Sequence, residues 1–262
     1  MRYAKGSFVI TPERDIPLLR LVRNCRFVGH QQLFELLQYD GMASCRRTFN
    51  WRVQRLLHTG HIARLHTVSW QGSPVYSVNQ NGLRQLESSG EFSLALHSRT
   101  RTMPDANQMF HALELNAIRV ALVRNALLIE WRSEVEISSN NMASGAHPKD
   151  YDAIVKIWLG NEIREFALEY ERSLKSAKHY ERIRAALEAE RQIGNILYLV
   201  ADSDLMLAIL YHLTPLAKRI GFTTVRSFKE QLLAASVTTD ADREMITLQG
   251  FLEYAHPLYV NY

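Results

Sequence analysis

The sequence predicts an α+β protein of two units, and three observations carry that reading. Its 262 residues exceed the ~100–200 of a typical single domain. Its charge is uneven: residues 1–100 carry 13 Lys/Arg against 6 Asp/Glu, and residues 101–262 carry 18 against 21. A basic unit therefore precedes a mildly acidic one, as expected where one unit meets a polyanion. Finally, apolar spacing passes twice from helical periods into short strands, first as three helices and a hairpin, then in the order α-β-β-β-α-β. The composition breaks in SLALHSRTRTMPDANQ, so residues 1–92 and 109–262 are expected to be domains and 93–108 their linker.

In the first unit, Thr11-Pro12-Glu13 is a helix start: an N-cap residue, a proline in the first turn and an early acid. The helix it opens buries Ile16, Leu19 and Val22. A second helix runs over Gln31–Gln38, and after YDGMAS a third spans Ser44–His58. At 100° per residue the third turns Cys45, Phe49, Val53 and Leu56 inward and Arg47, Asn50, Trp51, Gln54 and His58 outward. A tryptophan outside the core signals an interface. Gly60 ends this helix, and Ile62–Trp70 and Val75–Val78 form a hairpin around the turn residues Gln71 to Pro74. The stretch RLLHTGHIARL with SPVYSVNQNGLRQL resembles bacterial winged helix-turn-helix regulators. By that resemblance the third helix enters the major groove and the hairpin is the wing. It makes Ser44, Arg46, Arg47, Asn50, Trp51 and Gln54 DNA contacts, with Arg64 and His66 on the wing. A solvated arginine-rich face, or a winged helix that binds protein, is the alternative.

In the second unit, MFHALELNAIRVALVRNAL is helical, with Phe110, Leu113, Ala117 and Val120 or Ala121 inward, and LLIEWRSEVEI is read as a strand. YDAIVKIWL and IREFALEY make a hairpin about Gly160-Asn161. A charged helix over Leu174–Arg191 and the strand NILYLVAD complete the order. Three acids, Asp152, Glu169 and Glu171, fall inside these apolar strands, where a carboxylate needs a cation. Strand alternation places Glu169 and Glu171 on one face, and the hairpin brings Asp152 within reach of it. They are expected to form a cluster at a sheet edge, facing a groove. Pairing with Arg132, Arg164 or Arg172 is one solution and a metal ion the other.

The strand order and the acids resemble the PD-(D/E)xK nuclease superfamily. The resemblance implies that Asp152 and Glu169 hold Mg²⁺, with Glu171 where lysine is usual and Lys175 as its substitute, which makes Asp152, Glu169, Glu171 and Lys175 the catalytic set. Glu134 or Glu136 would add a ligand from the first strand. Glu-Tyr-Glu departs from the motif, so an altered, DNA-binding version of the fold stays open. The winged helix followed by a nuclease-like unit resembles the replication-relaxation family of plasmids and mobile elements, in HALELNAIRVAL, EWRSEVEI, PKDYDAIV and FALEYERS.

The leading expectation is a regulator of transcription or replication that binds double-stranded DNA as a homodimer. A Mg²⁺-dependent endonuclease and a protein-interaction module are the rivals. A hydrophobic content of 47% without a long apolar run, and an N-terminus without a signal core, predict a cytoplasmic protein with no membrane partner. Cys25 and Cys45, lacking CxxC spacing, are expected to be core thiols.

Overall fold

The computed structural model describes residues 10–91, 93, 105–213, 219–239 and 245–254. These divide into two compact units, one drawn from Met1–Ser93 and Thr100–Val120, the other from Ala121–Tyr262. Of the stretch expected as a linker, residues 94–104 lie outside the described ones, as do residues 255–262 of the aromatic tail.

The first unit opens with α1 (Pro12–Cys25), which buries Ile16, Leu18, Leu19, Leu21 and Val22. Thr11 occupies its N-cap position, but its hydroxyl caps nothing. It donates to Asp15 Oδ2 at 2.8 Å, as does its backbone N–H. A two-residue strand β1 (Val28–Gly29) leads into α2 (His30–Tyr39), and α3 (Arg46–His58) follows. Next come β2 (Ile62–Trp70), β3 (Ser73–Val78) and α4 (Gln80–Ser88), and the three strands form a sheet in the order β1-β3-β2. The hairpin turn is tighter than the four-residue one expected. Gln71 and Gly72 alone make it, both at positive φ (49° and 75°), as in the two-residue turns that match strand twist. A Cβ on Gly82 of α4 would sit 2.3 Å from the His61 carbonyl oxygen, so the close approach of that helix to the hairpin requires glycine.

Helix α5 (Ala106–Arg124) belongs to this unit as far as Val120. Its Met109, Ala112 and Leu113 pack with Phe27 and Val75. Polar bonds fix its seat, with Asn116 Nδ2 donating to the Phe27 carbonyl and Gln32 Nε2 to that of Leu113, each at 2.8 Å.

The second unit runs β4 (Leu128–Ser133), α6 (Glu134–Ser144), β5 (Ala153–Leu159), β6 (Glu162–Glu171), α7 (Ala177–Ala189), β7 (Asn195–Val200), α8 (Ser203–Leu213), β8 (Arg219–Thr224), α9 (Val225–Gln231), β9 (Ser236–Thr239), β10 (Met245–Thr247) and α10 (Leu248–Glu253). The sheet order is β10-β9-β8-β7-β6-β5-β4, with β6, β7 and β8 parallel and the outer pairings antiparallel. One face packs Ile154, Ala167, Ile196 and Tyr198 against Tyr180, Ile183 and Leu187 of α7 and Ile209 and Leu213 of α8.

A helix thus interrupts the expected β-β-β run. LLIEWRSEVEI does not continue as a strand past Ser133, because Ser133-x-x-Glu136 is a capping box: the Ser133 N–H and Oγ donate to Glu136 Oε2 at 2.9 and 2.7 Å. Glu134 and Glu136 lie in the first turn of α6 rather than on the first strand. Glu136 is occupied as a cap and is no strand-borne metal ligand.

Candidate functional site

Two groups of polar side chains stand where the folding leaves apolar faces buried. On α3, Phe49, Val53 and Leu56 are buried while Arg47, Asn50, Trp51 and Gln54 are exposed, Trp51 by 62%. Ser44 precedes the helix, exposed. Arg46 is half-buried. It bonds to Gln31, and its guanidinium lies 3.9 Å from the Phe34 ring centroid. Strand β2 packs against α3 and exposes Arg64 and His66. The structure therefore brings the eight expected DNA contacts onto α3, its N-terminal approach and β2.

Cys45 departs from expectation. It is the extended residue before α3, exposed, so helical periodicity does not apply to it. Its Sγ lies 3.2 Å from Thr48 Oγ1, and the bonds from Thr48 hold its thiol below the usual range. Cys25 is buried, as expected of a core thiol.

The sequence reading missed what backs this face. Asp15, fully buried, receives Arg55 and has Arg52 Nε at 3.9 Å, and Arg55 lies 4.8 Å from the Trp51 ring centroid. His30 Nε2 is 3.0 Å from Asn50 Oδ1, and its Nδ1 is 3.0 Å from Tyr76 Oη. Burial holds His30 below the usual imidazole range, against the bond to Asn50, with Arg46 adding to the depression. The ring is therefore neutral at neutral pH.

The second group lies at one end of the central strands. Glu169 and Glu171 share a face of β6, as alternation required, but they are only 3% and 4% exposed and β6 has a neighbour on each side. They stand inside the sheet, not at its edge over a groove. Among the described residues each glutamate meets a lysine. Lys149 Nζ meets Glu169 and Lys175 Nζ meets Glu171. Arg132 goes instead to Glu165 at 3.0 Å, and Arg164 to Glu162. Asp152, half-buried just before β5, accepts the Tyr170 N–H at 2.7 Å.

As placed, both glutamates meet ammonium groups, and among the described residues no three His, Cys, Asp or Glu side chains are grouped. The acids also shape the local electrostatics. Burial pushes the Glu169 pKa up to about 7, opposed by Lys149 and aided by Asp152 and Glu171. A carboxyl raised this way binds a proton in the folded state that the unfolded chain, with its pKa near ~4.3, has released. Stability should therefore fall as pH rises from about 4.3 toward 7. Thermal melts of the wild type at pH 5 and pH 7.5 should show the higher midpoint at pH 5. Glu169→Gln should flatten that window, and equal slopes in the two proteins would assign the dependence elsewhere.

Among the described residues no helix is long and apolar enough to cross a membrane. A family model described as replication-relaxation matches residues 19–196, more than half of the chain. No curated protein and no solved structure matches it.

Proposed function

The chain belongs to the replication-relaxation family, and from that premise we propose that it is a double-stranded DNA-binding protein, a regulator of replication or transcription on a plasmid or other mobile element. The first unit reads the duplex through α3 as a winged helix reads it, with β2 and β3 as the wing. The second unit, which we read as a nuclease-like domain, contributes dimerisation or further DNA contact. The observation that carries this reading is the division of α3: one face is locked into the core by Phe49, Val53 and Leu56, while Arg47, Asn50, Trp51 and Gln54 stand exposed on the other. Arginine and asparagine are the side chains that read guanine and adenine edges in the major groove.

Selection of sites from a randomised duplex pool tests it. A site built of two inverted half-sites about one helical turn apart is expected from a twofold dimer. Arg47→Ala or Asn50→Ala should each cost about 1–3 kcal/mol at one base position. Arg64→Ala on the wing should lower affinity for every sequence alike and reduce the salt slope by about one. Unchanged duplex affinity in all three variants would remove α3 and β2 from the interface.

A further inference from the structure

Asn50 stands on the exposed face of α3 with its amide oxygen already engaged. Its Oδ1 lies 3.0 Å from His30 Nε2, and the other nitrogen of that ring lies 3.0 Å from Tyr76 Oη. An amide oxygen only accepts, so Nε2 carries the hydrogen. A neutral imidazole has one N–H, so Nδ1 must accept, and the Tyr76 hydroxyl is the donor. The chain runs from the Tyr76 O–H to His30 Nδ1, and from His30 Nε2–H to Asn50 Oδ1.

Each link is held by packing. Tyr76 is 2% exposed in β3, and the His30 ring lies 4.9 Å from the Phe49 ring and 5.8 Å from the Tyr76 ring, centroid to centroid. An asparagine free to turn would offer either its oxygen or its nitrogen to the groove. With Oδ1 turned to His30, the Nδ2 hydrogens are what Asn50 has left to offer.

We propose that His30, held by Tyr76, is a positioning residue that fixes the orientation of Asn50 and thereby its base preference, directing the amide hydrogens at acceptor atoms on the major-groove edge. This rests on the DNA-reading role proposed for α3. Purine N7, guanine O6 and thymine O4 are the acceptors on that edge. The role is one of orientation and not of charge, so it is separable from the contribution of the arginines.

The test combines site selection from a randomised duplex pool with affinity for one unrelated duplex, using the wild type, Asn50→Ala, His30→Ala, His30→Gln and Tyr76→Phe. His30→Ala should lose about tenfold discrimination at the base position that Asn50→Ala also relaxes, with affinity for the unrelated duplex retained. His30→Gln, whose amide nitrogen can donate where Nε2 does, should restore the preference. Tyr76→Phe should show a smaller loss at the same position. In the DNA-free wild type, ¹⁵N spectra should report the Nε2–H tautomer of His30, a readout that a merely structural histidine would leave unconstrained.

An Nδ1–H tautomer, or wild-type site preference in His30→Ala, overturns the proposal while DNA reading by α3 stands. A wild type that binds no duplex at low salt overturns both. Should His30→Ala fail to fold, Tyr76→Phe and the tautomer decide by the same criteria.

Discussion

Asp15→Ala is expected to destabilise the first unit by about 3–5 kcal/mol, the cost of removing one partner from a buried ion pair. Asp15 is fully buried near the start of α1 and ties the residue before that helix to α3. It accepts both Thr11 donors at 2.8 Å, meets Arg55 of α3, and has Arg52 Nε at 3.9 Å. Arg52 is itself only 9% exposed and reaches the Met42 carbonyl at 3.3 Å. Without the carboxylate, the guanidinium groups of Arg52, nearly buried, and Arg55, partly buried, lose their counter-charge. Against a total of about 5–15 kcal/mol for a typical domain, that is a large fraction. The effect should extend to the exposed face, because Arg55 lies under Trp51. Tryptophan fluorescence of the folded fraction should shift as well as the denaturation midpoint. Asp15→Asn, which keeps the shape and an acceptor oxygen, should lose less. Denaturant unfolding of Asp15→Ala within 1 kcal/mol of wild type would show that the arginines find other partners.

The parts of the fold that were legible in the sequence are those with local signals. Helical period placed Phe49, Val53 and Leu56 in the core, and strand alternation put Glu169 and Glu171 on one face, both as the structure has them. Local signals failed where two of them competed. The run LLIEWRSEVEI has strand composition throughout, yet Glu136 accepts the Ser133 N–H and hydroxyl at a helix start, and that chemistry wins after Ser133. Cys45 failed for a related reason: the helix begins at Arg46, two residues later than the expected start at Ser44.

Lys175, four residues past Glu171 and already expected in its site, supplies the cation on Glu171, but partners distant in sequence carried no signal: the cation on Glu169 comes from Lys149, in the loop before β5. His30 and Tyr76 are separated by 46 positions and His30 and Asn50 by 20, so no spacing rule could join them. The pattern of the elements could be read, but the ionic and hydrogen-bonded pairings that orient the exposed residues required coordinates.

Glu190→Ala should be the most damaging single change in the second unit, at about 3–5 kcal/mol, because it strips a fully buried carboxylate from four donors. Glu190 is 0% exposed just after α7. Its Oε2 accepts from His147 Nδ1 at 3.2 Å and Tyr151 Oη at 3.0 Å, and its Oε1 accepts the backbone N–H groups of Gln192 and Ile193 at 2.6 and 3.3 Å. His147 and Tyr151 bracket Lys149, so Glu190 pins the loop that delivers Lys149 to Glu169. Burial alone would raise its pKa, but those four donors outweigh burial and hold it below the usual carboxylate range. A depressed folded pKa contributes stability that is complete above the unfolded value, about 4.3, and is lost as pH falls through the folded one. Its sign is opposite to that of Glu169, whose raised pKa acts between about 4.3 and 7. Glu190→Gln should cost less than alanine, since Oε1 still accepts from both backbone amides and the new amide can donate to the Tyr151 oxygen. It should also weaken the acid-side loss of stability below pH 4 while leaving the window above it intact. Denaturation midpoints measured from pH 3 to pH 8 separate the two groups. An acid limb in Glu190→Gln as steep as in the wild type would mean that another carboxylate governs it.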